Sequence, residues 1–357
     1  MATEWKYLPI LKWKQGEQLA LRNLTETQWS GVVPLLELQP IQASPDSASI
    51  RANLPAYLND KVTSKLCKAV PPGWTVAIDT SSLSVGTVNQ LLLLILTCTQ
   101  LQRMLPDYTF VPVIHASQLE SLNLLSISDK ERLNSFPEIM LRIIIDQFEP
   151  FQVSPSVSKL TSYGIKKKNL HILIDQYSIV ERDPNECFKN VKPYADNAIG
   201  TKCASVTIAG GAFPVNLMGR RGGLSTIPRV EWKTWCLFRK SGEYSTLRYS
   251  DYTVTNPAPL EVEIDPSKLN PSIAIRYAVT ETWRLYKGSQ FKKAPKNEYK
   301  TLCKFLVSDA HYSGENFSYG DRQYKLASET AKETNGTPSS WRKEATNHHI
   351  VLTASSL

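Results

Sequence analysis

Short apolar runs recur along the chain as far as Asp251, and most of them are followed by one polar residue and then a longer amphipathic stretch. The runs lack regular alternation of apolar and polar positions, which is typical of strands buried on both faces, as in parallel sheets. Helical patterns separate most of them, most clearly over Val88–Leu105. The predicted strands are Tyr7–Leu11, Val32–Leu36, Trp74–Ile78, Phe110–Ile114, Ile139–Ile145, Leu170–Ile174, Ala204–Ala209 and Thr246–Ser250.

About eight strand–helix units in succession predict an α/β fold, a (β/α)8 barrel of the TIM type. A doubly wound open sheet is the alternative. That fold normally carries a Gly-x-Gly-x-x-Gly motif after its first strand, and this chain has none there. The sequence therefore favours a closed barrel.

The strand–helix pattern ends near residue 255. We expect residues 1–255 to form the barrel and residues 256–357 to form a C-terminal extension that packs on it within the same domain, because no long polar linker separates the two parts. The local patterns in the extension predict strands at Ser272–Val279 and His348–Thr353, a helix at Glu298–Asp309, and a second helix that begins at Arg322 with Asp321 as its cap.

Ionisable residues follow most of the predicted strands: Lys12, Glu37, Asp79, His115, Asp146, Asp175 and Asp251. In barrel enzymes the chemistry lies where the strands end. The candidate catalytic residues are Glu37, Asp79, His115 and Asp175. Carboxylates and an imidazole at one mouth are compatible with a divalent metal site or with an acid–base pair. Polar residues also end strands wherever a chain leaves the core, so ligand binding without chemistry and plain capping stay open, and the sequence does not decide whether the chain is an enzyme.

A glycine- and arginine-rich segment, Gly210–Gly223, follows the seventh predicted strand. Glycines let backbone amides approach an anion, and arginine side chains hold one with forked hydrogen bonds. Barrels that bind phosphate frequently do so in the loops after strands seven and eight. The predicted ligand-binding residues are Lys12, Gly210, Gly211, Arg220 and Arg221. A flexible surface turn is the alternative interpretation.

The charge is distributed unevenly over the 357 residues. Residues 1–150 hold 12 Lys and Arg against 14 Asp and Glu, whereas the remaining residues hold 29 against 19, and the whole chain has a formal net charge of +8. A basic excess of this kind suits polyanionic partners, either nucleic acid or a phosphorylated small molecule. A merely solvated basic surface is the alternative.

The remaining composition is that of an ordinary globular protein, with 42% hydrophobic and 21% charged residues, which excludes a wholly disordered chain. The longest dense apolar run, Leu91–Leu96, is too short to span a bilayer, and the N-terminus has no apolar signal core, so we expect a cytoplasmic protein without a membrane partner. None of the six cysteines has the spacing of a zinc knuckle, and we expect reduced thiols.

Short motifs lie at both ends of the chain: Tyr7–Lys12, Gly16-Glu17, Ala20-Leu21, Val33–Glu37, Phe317–Asp321, Trp341-Arg342 and Thr346–Ile350. Together they resemble the "beta family proteins" of bacteria, phages and prophages. The resemblance covers the chain from end to end and implies one barrel-like domain. The occurrence of the family in mobile and prophage-associated regions implies a setting in antiphage defence, but no set of catalytic residues.

Three hypotheses follow for the function. The first is a component of an antiphage-defence or prophage-borne module that binds nucleic acid or a phosphorylated ligand at the C-terminal mouth of the barrel. The second is a metal-dependent hydrolase of the phosphodiesterase type that uses the strand-end carboxylates. The third is a non-enzymatic scaffold for a protein partner encoded by a neighbouring gene.

Overall fold

Eight parallel strands close a barrel in the computed structural model, which describes residues 5–39, 58–83, 90–217, 222–258, 270–332 and 334–357. The eighth strand of the barrel pairs with the seventh at Thr207↔Arg248 and with the first at Tyr7↔Tyr249, which completes the ring. The predicted (β/α)8 barrel is therefore confirmed. Its strands are β1 (Tyr7–Leu11), β2 (Leu35–Glu37), β3 (Thr75–Asp79), β4 (Thr109–His115), β5 (Ile139–Ile144), β6 (Leu170–Ser178), β7 (Ser205–Gly211) and β9 (Arg248–Asp251).

Helices connect the strands and cover the outside of the barrel. The α-helices of this layer are α1 (Gln15–Arg22), α2 (Glu26–Trp29), α3 (Ser64–Ala69), α4 (Gln90–Met104), α5 (Ile127–Ser135), α6 (Val153–Ser162), α7 (Pro184–Gly200) and α8 (Val230–Ser241). Shorter 3-10 turns occupy Ala116–Leu124, Ile145–Gln147, Pro150–Gln152 and Lys167–Asn169, and a π-helical turn occupies Leu58–Thr63. Among the helices that the structure describes, none is both long and apolar enough to cross a membrane.

Side chains alternate along each barrel strand between the interior of the barrel and the helix layer, as the period of a strand requires. The interior cluster contains apolar residues such as Leu35, Ala77, Val113, Met140 and Leu173. Their sequence neighbours, such as Leu36, Ile78, Ile114, Leu141 and Ile174, pack against the helices. The residue two positions beyond an interior apolar residue therefore faces the mouth of the barrel.

A three-stranded antiparallel sheet lies beside the barrel, with the order β10-β11-β8. Its strands are β8 (Gly223–Pro228), β10 (Ser272–Ala278) and β11 (Thr282–Gln290). Because β8 comes from the segment between β7 and α8, the sheet joins the barrel part of the chain to the later residues. The later helices are α9 (Glu298–Val307), α10 (Tyr319–Glu329) and α11 (Pro338–Ser356), and α11 packs against α1, α10 and β10.

The structure corrects two local predictions. The run His348–Thr353 is part of helix α11 and not a strand, because Thr337 caps the helix by accepting a hydrogen bond from Ser340 N and Pro338 fits its first turn. The second correction concerns α10, which begins at Tyr319 with Ser318 as its N-cap, so that Asp321 lies inside the first turn. The strand predicted at Ser272–Val279 and the helix predicted at Glu298–Asp309 are confirmed with slightly shorter bounds.

Candidate functional site

The four candidate residues Glu37, Asp79, His115 and Asp175 lie together at the C-terminal mouth of the barrel. Each stands two positions after an interior apolar residue of its strand, so its side chain continues the interior row. Glu37 is directly opposite Asp79 in the β2–β3 pair. His115 is opposite Arg142 in the β4–β5 pair, which brings a cation into the same ring.

Arg142 is the centre of this cluster and is only 2% exposed. Its Nη1 donates to Glu37 Oε1 at 2.9 Å and to Asp79 Oδ2 at 2.6 Å. Its Nη2 and Nε donate to Asp175 Oδ2 at 2.7 and 3.0 Å. Nη2 also contacts the hydroxyl of Tyr252, which itself donates to Asp175 Oδ2 at 2.5 Å. One guanidinium therefore binds three carboxylates from three strands.

The aspartates are held by the backbone immediately after their strands. Ser81 N donates to Asp79 Oδ1 and Tyr177 N donates to Asp175 Oδ1, both at 2.8 Å. These turns direct the second carboxylate oxygen of each aspartate at Arg142. In Asp79 that oxygen also accepts a hydrogen bond from His115 Nε2 at 2.8 Å. The cluster is thus preorganised by its own loops.

Burial and charge act differently on the members of the cluster. Burial opposes the ionised form of Asp79, but His115 and Arg142 outweigh it and hold the pKa of this carboxyl well below its usual range. Burial raises the pKa of Glu37, which Arg142 offsets in part and the charge of Asp79 increases. Burial also opposes the charge on Arg142, yet Tyr252 and Asp175 keep its pKa well above the ordinary value. Glu37 is therefore easier to protonate than Asp79.

The donor set does not fit a divalent metal ion. A metal site needs carboxylate oxygens that converge on an empty point, whereas here the oxygens of Glu37, Asp79 and Asp175 converge on the guanidinium of Arg142. Elsewhere in the described ranges, no group of three or more His, Cys, Asp or Glu side chains has an arrangement suited to a metal. We therefore derive no metal chemistry from this cluster.

A cavity of about 650 Å³ borders the cluster and includes Glu37, His115 and Arg142 in its lining. This volume is typical of sites for small molecules. Much of the remaining polar lining is uncharged, with hydroxyl or amide groups from Gln39, Ser81, Ser82, Ser117, Gln147, Tyr177, Thr255 and Asn256. Four further cations belong to the lining: Lys12, Lys14, Arg276 and Arg342.

The basic lining comes from both parts of the chain. Lys12 and Lys14 follow β1, Arg276 lies on β10, and Arg342 lies on α11. Lys12 Nζ donates to Pro257 O at 3.2 Å, and burial lowers the pKa of this amine. Arg342 lies 4.0 Å from Glu17 Oε1. Arg142 balances the charge of one of its three carboxylates, which leaves two. The four other cations of the lining outnumber these two carboxylates.

Arg276 differs from the other cations in its surroundings. Its Nε is buried and has no hydrogen-bond partner among the residues that the structure describes. Its guanidinium lies 5.1 Å from the centre of the Phe213 ring. Burial, together with the charge of Arg342, lowers the pKa of Arg276 to about 9. Burial of this nitrogen without a partner is unfavourable, and an anion in the cavity would reduce that cost.

Other predicted residues are placed differently. Gly210 and Gly211 lie within β7, and a Cβ at Gly211 would stand 2.4 Å from Pro257 Cδ, so close packing requires the glycine there. The anion-binding role of the two glycines stays a prediction. Arg220 and Arg221 lie outside the described residues. Lys12 lines the cavity, as stated above.

Two strand-end acids lie away from the cavity. Asp146 is exposed in a 3-10 turn after β5. Asp251 faces the helix layer, where it accepts hydrogen bonds from Tyr7 and from His349 Nε2, at 2.6 and 2.8 Å, and lies 3.7 Å from Arg229 Nη2. This second cluster is buried between the barrel and α11, and it links the two parts of the fold.

Sequence reasoning missed Arg142, Tyr252, Arg276 and Arg342. For Arg142 a signal was present, because a charged residue in the middle of the apolar run Ile139–Ile145 needs a buried partner. No comparable signal marks Arg276 or Arg342, which approach the mouth only through the packing of the extension.

Comparison with known proteins adds a family but no activity. No curated protein matches the chain. The family pattern described as Beta protein matches residues 7–354, which include every strand of the barrel and nearly all of α11. The chain therefore belongs to the Beta protein family.

Proposed function

We propose that this protein binds a phosphorylated small molecule in the cavity at the C-terminal mouth of its barrel. The observation that supports this proposal is the guanidinium of Arg276, which borders the cavity with a buried and unpartnered Nε and beside a second cation, Arg342. A buried nitrogen without a partner is costly, and an anionic ligand beside this half-buried guanidinium would offset that cost.

The chemistry of the lining suits a phosphate group. Arginine and lysine hold phosphate oxygens through charge-assisted hydrogen bonds, and arginine does so in a bidentate manner. The hydroxyl and amide groups suit a sugar or another polar body attached to the phosphate, and the half-buried ring of Tyr177 adds apolar surface. A mononucleotide has this combination of groups and a size that suits about 650 Å³.

The alternative of a metal-dependent hydrolase has less support, because Arg142 occupies the point at which the strand-end carboxylates converge. We also propose that ligand binding serves an antiphage-defence or prophage-borne module, which is the setting that the family resemblance implies. A nucleic acid bound at this mouth would have to insert one strand end, since the cavity is small. A protein partner from a neighbouring gene stays a prediction.

The proposal is tested by thermal-shift titrations with inorganic phosphate and with adenosine 5′-monophosphate at constant ionic strength. The wild-type melting temperature should rise with either ligand, since a ligand at 100 times its Kd adds about 2.7 kcal/mol of stability. Arg276→Gln should weaken binding by roughly 10- to 100-fold, which corresponds to one charge-assisted hydrogen bond or bidentate contact. The free variant should be no less stable than wild type, because it loses a guanidinium whose buried Nε has no acceptor among the described residues.

Arg284→Gln is the matched control. Arg284 lies on β11 of the same sheet, but it forms an ion pair with Asp309 and does not line the cavity. This variant should be less stable than wild type and should keep the full ligand-induced shift. The proposal fails if neither ligand shifts the melting temperature of the wild type, or if Arg276→Gln and Arg284→Gln respond alike.

A further inference from the structure

A second concentration of positive charge lies at the opposite, N-terminal end of the barrel. The segments that lead into β6, β7 and β9 are adjacent there, because these three strands are neighbours in the barrel. We call their six exposed cations the basic sector: Lys166, Lys167, Lys168, Lys202, Arg239 and Lys240. Only one acidic residue, Glu243, occurs in the connecting segments 163–169, 201–204 and 242–247, all of which are described.

Backbone contacts hold the members of the basic sector close together. Ala204 N donates to Lys167 O at 3.1 Å, which fixes the turn carrying Lys202 against the lysine run Lys166–Lys168. Helices α7 and α8 pack against each other and bring Arg239 and Lys240 to the same side. Within the described part of the chain, none of the six cations forms an ion pair.

Helix electrostatics explain only part of this arrangement. Arg239 and Lys240 lie in the last turn of α8, where a cation interacts favourably with the helix dipole. Lys202, in contrast, follows the end of α7 with φ of 58°, a left-handed backbone that normally favours glycine or asparagine. The chain thus carries a charged side chain at a position where its conformation disfavours one.

We infer that the basic sector binds the phosphate backbone of double-stranded nucleic acid. Clustered, unpaired lysines and arginines provide the sequence-independent electrostatic term of such binding. None of the large apolar side chains that the structure describes as exposed lies in the three connecting segments. Of the two aromatic residues in these segments, Tyr244 is buried and Tyr163 is half-buried. The sector therefore lacks fully exposed rings of the kind that stack on single-stranded bases or insert into a membrane.

The test is fluorescence anisotropy of a labelled 20-base-pair DNA duplex with the full-length protein between 50 and 200 mM KCl. The association constant should fall steeply with salt, with a slope of about −0.9 for each phosphate contact in a log–log plot. The triple variant Lys166→Gln, Lys167→Gln, Lys168→Gln should reduce that slope by about 2 to 3 and weaken binding roughly evenly across duplex sequences.

Lys202→Gly separates binding from folding. Because glycine relieves the left-handed strain, this variant should keep or raise the melting temperature while the salt slope drops by about 1. The matched control is Lys292→Gln, Lys293→Gln, Lys296→Gln, which removes the same charge from the exposed segment before α9. The control should leave the slope unchanged.

The inference is overturned if the wild type does not bind the duplex, or if the control triple variant weakens binding as much as the Lys166–Lys168 variant does. Binding to phosphatidylserine vesicles, with no binding to the duplex, would assign the sector to a membrane surface and also overturn it. Arg276→Gln should bind the duplex like wild type. Failure of this inference is therefore distinguishable from failure of ligand binding in the cavity.

Discussion

Replacing Arg142 with methionine should strongly destabilise the barrel. Methionine has a similar length and fits a buried position, but it removes the only guanidinium in the described cluster that binds Glu37, Asp79 and Asp175. All three carboxylates remain buried, with at most 9% of any residue exposed. The perturbation therefore leaves acceptors and charges without their partner and creates little empty space.

The magnitude follows from these contacts. Removing one partner of a buried ion pair costs about 3–5 kcal/mol, because it leaves an uncompensated charge. Arg142→Met leaves three carboxylates, but protonation of Glu37 relieves one of them, so we expect about 4–5 kcal/mol at pH 7. With an unfolding entropy of about 2.1 cal/mol/K per residue, that loss lowers the melting temperature of a chain of this length by about 5–7 °C.

The pH dependence gives the sign of the effect. In the wild type the pKa of Asp79 is lowered, so this residue contributes stability above its unfolded pKa, and that contribution is lost as the pH falls. In the variant, Arg142 no longer offsets the burial and the charge of Asp79 that raise the pKa of Glu37. The variant is therefore penalised as the pH rises from about 4 towards neutrality. The difference between the two proteins should therefore be larger at pH 8 than at pH 5.

Urea unfolding at pH 5 and pH 8, followed by far-UV circular dichroism, measures this difference. Arg239→Met is the control, because Arg239 is exposed and its guanidinium donates only to Ser245 O within the described residues. It should change stability by less than about 0.5 kcal/mol at both pH values. A loss below 1 kcal/mol for Arg142→Met, or a loss that does not grow with pH, would refute the proposed electrostatic role of the cluster.

Three further predictions address other parts of the molecule. Gly320→Ala places a Cβ 2.2 Å from the backbone oxygen of Glu344 on α11, and the helix backbone cannot move away easily. Urea unfolding should therefore show a loss of about 2–3 kcal/mol in the free energy of unfolding, and an unchanged value would contradict this packing. Burial raises the pKa of Glu344 to about 7, so ionisation of this residue lowers the stability of the protein as the pH rises from about 4.3 to 7. Glu344→Gln should therefore be up to about 3 kcal/mol more stable than wild type at pH 8 but little different at pH 4.5, and equal gains at both pH values would refute the shift. Sulfate, whose charge is constant over this range, should bind the cavity more tightly as the pH falls through the raised pKa of Glu37. Calorimetry should show that sulfate affinity depends less on pH in Glu37→Gln than in the wild type, and identical profiles for the two proteins would exclude this linkage.

The convergence of Glu37, Asp79, His115 and Asp175 followed from the sequence because two simple rules sufficed. Parallel strands of a barrel end on one side, and side chains alternate with a period of two. An apolar run that ends in an ionisable residue therefore identifies both the end and the face of the strand. The chemical roles of these residues remain predictions.

The partners of these residues could not be predicted in the same way. Arg142 joins residues that lie 33 to 110 positions away along the chain, and nothing local determines such a combination. The run His348–Thr353 shows a different limit. Its β-branched residues are compatible with a strand, and it became a helix because the N-terminal cap at Thr337 and the packing of α11 on several neighbours outweigh local propensity.

Under the proposed function, stability and ligand binding depend on two different arginines at the same mouth. Arg142 has acceptors for Nε and both terminal nitrogens and offsets part of the negative charge of the three carboxylates around it. Arg276 has a buried nitrogen without an acceptor in the described residues and lies beside the charge of Arg342. A fully satisfied cation stabilises the fold but has little left to offer a ligand, whereas an unsatisfied one weakens the free protein and gains most when an anion arrives. Under the proposed function, the unpaired nitrogen of Arg276 destabilises the free protein, and ligand binding removes this destabilisation.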